Sequence, residues 1–162
     1  MSAARSQQGF VLIVTCIVLA ILMAFAGLGV DIGRMYVIKS ELQAFADAAV
    51  LNAAMQLDGT EQGLDRARTA AAQLATGPNA MKWDMGTQPI ADITASFAKG
   101  DTVPDPNSWE EKPSTNDRHF VRVVASVSAP LIFLRSFQAL NFSTVAAAGV
   151  AGKTAENVRL LQ

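Results

Sequence analysis

Few side chains in this sequence could do nucleophilic, acid–base or metal chemistry: one thiol, Cys16, one imidazole, His119, and the loop carboxylates Asp105, Glu110, Glu111 and Asp117. Nucleophilic catalysis needs a base within hydrogen-bond reach of the attacking atom. Cys16 lies inside an apolar block, whereas His119 opens a distant segment of alternating pattern, so neither activates the other. The four carboxylates sit among prolines and small polar residues, which reads as a solvated face rather than a calcium loop. No Cys/His spacing suits zinc and no glycine-rich loop is built to cradle phosphate. The expectation is a protein that is not an enzyme, with no catalytic residue, no metal and no cofactor. Lys and Arg total 13 against 14 Asp and Glu, without a basic cluster; nucleic acid, which demands clustered cations against its phosphates, is not an expected partner.

The elements that carry these residues begin with a greasy segment. Phe10 to Val30 holds no charged residue; its roughly 21 residues rise about 31 Å as a helix, close to the hydrocarbon thickness of a bilayer. Thr15 can bond back to a carbonyl one turn earlier, so its hydroxyl is tolerated in lipid. A lipid bilayer is therefore the first expected partner, met through Phe10–Val30. The charge bias across the span is indecisive, because Arg5 and the terminal amine on one side balance Arg34 and Lys39 on the other. Cys16, the sole cysteine, falls in this block, and no intrachain disulfide can form. Gly29 and Gly33 make a G-x-x-x-G spacing near the end of the span, a pattern suited to helix packing and equally to a plain helix end.

Helical character continues past Val30. Asp31 to Leu57 lacks proline and is rich in Ala, Leu, Gln and Met, so one helix of roughly 70 Å is predicted from Phe10 to about Leu57. Leu42, Ala46, Ala49 and Ala53 form a narrow stripe of mostly small side chains suited to close packing, with Arg34, Lys39 and Glu41 left to water. Asp31 and Arg34, three apart on one face, can pair where the helix would leave lipid.

Val30-Asp31-Ile32-Gly33-Arg34-Met35-Tyr36, followed by Leu42-Gln43-Ala44-Phe45-Ala46-Asp47-Ala48-Ala49, resembles the N-terminal module of TadE/TadG-like proteins of tight-adherence (Flp pilus) systems. The residues that carry the likeness are Asp31, Gly33, Arg34 and Tyr36 at the membrane exit, and Leu42, Gln43, Asp47, Ala48 and Ala49 further on. Phe45 stands where the family pattern has alanine and Asn52 where it has a small apolar residue. The resemblance covers about Gln8 to Ala54. It implies an inner-membrane, single-pass anchor with the remaining domain periplasmic or extracellular. It also implies a role in pilus assembly or cell adhesion through contacts with other pilus-assembly or surface proteins, self-association included. Many TadG-like members continue into a large von Willebrand-type domain with a metal site; this chain is too short for one, so that metal-dependent role is not carried over.

Two processing sites can also be read. Gln8-Gly9-Phe10-Val11-Leu12-Ile13 is similar to the leader junction of type IV pilins, with cleavage between Gly9 and Phe10, although Val14 replaces the Glu usual at the fifth mature position. Ala24-Phe25-Ala26 has the small-x-small form read by signal peptidase.

Beyond the long helix, Asp58-Gly59-Thr60-Glu61 reads as a capping box opening a second helix to about Thr76, closed by Gly77-Pro78, with Leu64, Ala67, Ala71 and Leu74 on its buried face. The period then changes to two. Ile93, Ala95 and Phe97, and Val121, Val123, Ala125 and Val127, form the buried faces of two strands. Between them Gly100 to Arg118 is a long loop in which Trp109 is exposed, covering a sheet edge or marking a subunit contact. Pro130 starts a short helix over Leu131 to Gln138, and a last strand runs from about Phe142 to Val150. The fold class is α+β: a long N-terminal helix, half transmembrane and half exported, on an antiparallel sheet of about three strands, as in pilin-like architectures. The expected organisation is a cytoplasmic tail (1–9), a transmembrane helix (10–30), an exported domain (31–152) and a C-terminal tail (153–162). Three functions fit: a membrane-anchored, non-catalytic component of a Tad/Flp-type pilus or adhesion assembly; a minor pilin or pseudopilin processed at Gly9; and a periplasmic small-molecule binding module.

Overall fold

The apolar block and the alanine-rich stretch after it contain no helix breaker, and one helix, α1 (Ala4–Met55), runs through both. It is seen in a computed structural model that describes residues 4–100, 104–113, 118–137 and 142–153. The Thr15 hydroxyl donates to the Val11 carbonyl at 2.8 Å, the bond expected of a threonine in an apolar helix. After Met55 the chain tightens into a turn, Gln56 and Leu57 donating to Ala53 and Ala54.

Helix α2 (Glu61–Thr76) starts two residues later than the expected capping box places it. Gly59 adopts φ 78°, which breaks any helical path from Asp58, so Thr60 is the N-cap and its hydroxyl accepts from the Gly63 amide at 3.0 Å. Asp58 instead accepts from the Thr60 amide (3.0 Å) and hydroxyl (2.7 Å) and pairs with Arg66. The Thr60 hydroxyl and amide, reinforced by Arg66, hold the Asp58 carboxyl below its ordinary value. The inward face of α2 consists of Gly63, Leu64, Ala67, Ala70, Ala71 and Ala75, while Leu74 is only half-buried.

A two-stranded hairpin follows that the period-two pattern did not announce: β1 (Lys82–Trp83) pairs with β2 (Gln88–Pro89). Its turn places Asp84, Met85 and Gly86 all at positive φ. Strands β3 (Asp92–Ala98), β4 (Phe120–Pro130) and β5 (Phe142–Gly152) then form the three-stranded sheet, in the order β3-β4-β5. Strands β3 and β4 run antiparallel, with Asp92 opposite Ser126 and Ala98 opposite Phe120. This is the α+β class read from the sequence, a long N-terminal helix on a small antiparallel sheet.

The chain divides into two compact units, one of residues 1–36 and 129–143, the other of 37–128 and 144–162. In the second, Leu42, Phe45, Ala46, Ala49 and Ala53 of α1 are fully buried, as are Val121, Val123 and Ala125 of β4. The stripe of small side chains on α1 has a visible purpose. At Gly149 of β5, a Cβ would lie 2.7 Å from the carbonyl oxygen of Ala46 and 2.9 Å from Val50 Cγ1, so strand and helix touch backbone to backbone. Helix α2 packs on the remaining side of α1 and on β3: the Asn52 amide donates to the Ala70 carbonyl at 3.2 Å, and the Arg68 guanidinium stands 5.0 Å from the Phe97 ring centroid.

In the first unit, the expected helix over Leu131–Gln138 is a shorter 3-10 turn, Leu134–Phe137, and Gln138 lies outside the described residues. The amides of Ile132, Phe133 and Leu134, at the start of this turn, donate to a side chain of α1.

Candidate functional site

From Phe10 to Phe25 every large apolar side chain of α1 is at least 41% exposed. Such a continuous surface is unfavourable in water, and the helix is long and apolar enough to cross a membrane by length and composition. Gly9 and Phe10 are both exposed, and a Cβ at Gly9 would meet nothing within 4 Å. The same is true of Gly29 and Gly33, so among the described residues the G-x-x-x-G spacing packs against nothing.

At the end of the apolar stretch the exposure pattern changes. Asp31 is only 2% exposed, and its carboxylate accepts three backbone hydrogen bonds: from Ile132 (3.0 Å, Oδ1), Phe133 (3.0 Å, Oδ2) and Leu134 (2.8 Å, Oδ2). Burial alone pushes the Asp31 carboxyl up; the three amides, with the nearby Arg34 charge, outweigh it and hold the group below its ordinary value. Arg34 Nη1 donates to the Pro130 carbonyl at 3.1 Å, a second tie between the same helix face and the same loop. One turn earlier, Gly27 is buried under Phe133: a Cβ there would stand 2.7 Å from Phe133 Cβ and Cγ. Asp31, Arg34 and Gly27 thus form one latch on the loop that begins at Pro130. Tyr36, one further turn on, is 77% exposed.

The second group of motif residues serves strand β5. Gln43 Nε2 donates to the Ala148 carbonyl at 3.0 Å and to Asp47 Oδ1 at 2.9 Å, and Lys39 donates to the Ala146 carbonyl. Two carbonyls two residues apart point to the same side of a strand, and β5 is the last strand of its sheet, so α1 covers part of that edge. Leu42 and Ala49 are fully buried, Ala48 is half-buried, and Asp47 faces outward.

The charged residues expected to face only water therefore do more. Arg34 and Lys39 reach backbone carbonyls, and Glu41 accepts from the Met85 amide at 3.0 and 3.2 Å, pinning the β1–β2 turn. These ties join positions 44 to 107 residues apart, a range no local pattern reports. One signal was readable: an acidic residue abutting an apolar span must find donors, and a neighbouring arginine alone leaves carboxylate lone pairs unsatisfied.

The acidic loop has structural partners. Glu110 makes a two-way backbone pair with Phe97 (2.8 and 2.9 Å) on the outer edge of β3, and its carboxylate meets the buried Arg118 at 3.0 Å. Arg68 Nη2 donates to the Glu111 carbonyl at 2.7 Å. Trp109, expected to be exposed, is half-buried beside this edge-covering bridge, and Asp117 lies outside the described residues. Cys16 is exposed on the apolar helix, and His119 precedes β4, donating its amide to the Ala98 carbonyl at 3.2 Å.

Residues 9–56 match the family model described as putative Flp pilus-assembly TadE/G-like. The segment that matches, less than a third of the chain, is the whole apolar stretch together with the alanine-rich half of α1, and the match supports its resemblance to a TadE/TadG-like N-terminal module. No curated protein and no solved structure matches the chain.

Proposed function

We propose that this chain is a membrane-anchored, non-catalytic component of a Tad/Flp-type pilus or surface-adhesion assembly, acting through protein–protein contacts. One observation carries the reading: the segment matching the pilus-assembly family is also the segment whose apolar side chains stay exposed from Phe10 to Phe25. Lipid is the environment that accepts such a helix, because its backbone is already hydrogen-bonded internally and its surface is hydrocarbon. The anchor is a single pass in the inner membrane, with the domain after Asp31 on the periplasmic or extracellular side. Partners are other pilus-assembly or surface proteins, met by the exported domain. The open faces at Gly29 and Gly33 are available to a neighbouring helix, a second copy included.

The test is to determine the N-terminus and the extraction behaviour of the protein from its own host membranes. An uncut chain that resists alkaline carbonate and yields to detergent is the expected result. A mature N-terminus at Phe10 would instead identify a processed minor pilin, and one at Gly27 a released periplasmic module; an intact chain in the soluble fraction would overturn the anchored reading.

A further inference from the structure

The loop after Pro130 begins with four successive apolar residues, Leu131-Ile132-Phe133-Leu134, followed by Arg135. Leu131 is buried, but Ile132 is 52% and Phe133 45% exposed, and Arg135 faces outward. Two large apolar side chains stay half out on a stretch whose backbone is held in place. Asp31 fixes the amides of Ile132, Phe133 and Leu134, and Arg34 fixes the Pro130 carbonyl.

The height of the loop along α1 follows from the Gly27 contact. Phe133 packs on Gly27, three residues inside Val30, which is about 4.5 Å along the helix axis toward the centre of the apolar segment. The helix face around that contact is apolar as well, since Met23, one turn before Gly27, and Val30, three residues after it, are 72% and 49% exposed. Asp31, the first charge after the apolar segment, is sealed beneath the loop and supplied with three donors, so it puts no exposed charge beside Phe133. A basic side chain directly after the apolar tip suits a position where the stem lies in hydrocarbon and the cation reaches the headgroups.

We infer that the 131–135 loop is a second lipid-contacting element, a wedge in the interfacial layer of the same leaflet in which the apolar half of α1 ends, latched to the helix through Asp31. The inference rests on the membrane-anchored reading of α1 and extends it from a one-helix anchor to a helix with an interfacial foot. Its occupant is the acyl and headgroup boundary of the bilayer.

The experiment uses the full chain with Cys16→Ala, carrying a single Ile132→Cys or, separately, Leu19→Cys, each labelled with an NBD fluorophore. Both are reconstituted into phosphatidylcholine–phosphatidylglycerol vesicles, and free NBD-cysteine is the aqueous reference. Quenching by iodide and, in separate vesicles, by lipids with a doxyl group near the headgroup end or near the methyl end of the acyl chain is read at each position, the deep doxyl lipid being the one that reaches position 19. The expected result at position 132 is blue-shifted emission, strong quenching by the headgroup-end doxyl lipid, and iodide quenching several-fold weaker than for the free label. Iodide access at position 132 equal to the free label, with position 19 quenched by lipid, would sink the loop's role and leave the anchor standing. Shielding at 132 from iodide and doxyl lipid alike would mean that protein, such as a second copy, covers the loop, which also overturns the inference. Absence of lipid quenching at position 19 would remove the anchor and the wedge together.

Discussion

The Asp31 carboxylate lies 2.8 Å from the backbone nitrogen of Leu134, a residue 103 positions later in the chain. Together with the amides of Ile132 and Phe133 this makes the side chain the organiser of a loop to which it has no sequence proximity. A hydrogen bond to a charged group contributes about 1.5–3 kcal/mol, and losing one partner of a buried set also leaves the other unsatisfied. Asp31→Asn keeps the shape, removes the charge and turns a donor toward one or more of the amides. The expected outcome is faster hydrogen exchange at 132–134, with β3 and the inner residues of β4 keeping their protection. Unchanged exchange at those three amides would show that the latch is not what orders the loop.

The pH dependence of the latch has a definite sign. Asp31 stands beyond the apolar span, and its folded-state value lies below the ordinary 3.8. A carboxyl with a lowered folded value adds stability that is complete above the ordinary value and disappears as pH falls through the lowered one, because the unfolded state binds its proton first. Exchange protection at 132–134, corrected for intrinsic rates, should therefore hold from neutral pH down to about the ordinary carboxylate range and fall below it. Asp31→Asn should flatten that profile, and a wild-type profile that is already flat would count against the carboxylate.

Gly27 makes a steric prediction at the same site. A Cβ at that position overlaps Phe133, so Gly27→Ala should displace the loop and raise exchange at 132–134. Phe133→Ala in the same chain removes the obstruction, and the double variant should recover part of the protection lost in Gly27→Ala. Strict additivity of the two changes would mean that Gly27 and Phe133 do not meet.

How much of this is legible in the sequence depends on the range of the interaction. The long helix was readable because hydropathy and the absence of proline act locally, and Leu42, Ala46, Ala49 and Ala53, chosen from spacing alone, are all fully buried. The β3 and β4 strands were readable from period-two alternation, although Ser96 and Phe120 are buried on what the pattern gave as the outer face. The β1–β2 hairpin was not, because each strand has only two residues, too few to show a period, and its turn depends on Glu41 reaching the Met85 amide. Asp31 was singled out, but its partners were not: pairing with Arg34 is a local guess, whereas three amides presented by a distant loop are a tertiary fact.

The last prediction separates two kinds of close packing on α1. Gly149 touches the backbone of Ala46, and backbone cannot swing aside as a side chain can, so Gly149→Val must push strand from helix. Overpacking usually costs about 1–3 kcal/mol, and an immovable neighbour places this case at the upper end or above it. On the same helix Ala49 is fully buried while Ala44 is exposed. Ala49→Leu should destabilise the domain comparably, and Ala44→Leu should shift stability by no more than about 0.5 kcal/mol, as surface substitutions usually do. Denaturant melts of the three variants in detergent, followed by near-ultraviolet circular dichroism, read this directly. The sharp contrast between positions 44 and 49 follows from the small-residue stripe being the seam between helix and sheet. If it were instead an unused face, the two leucine variants would melt alike, and the Gly149 contact would have to be explained without it.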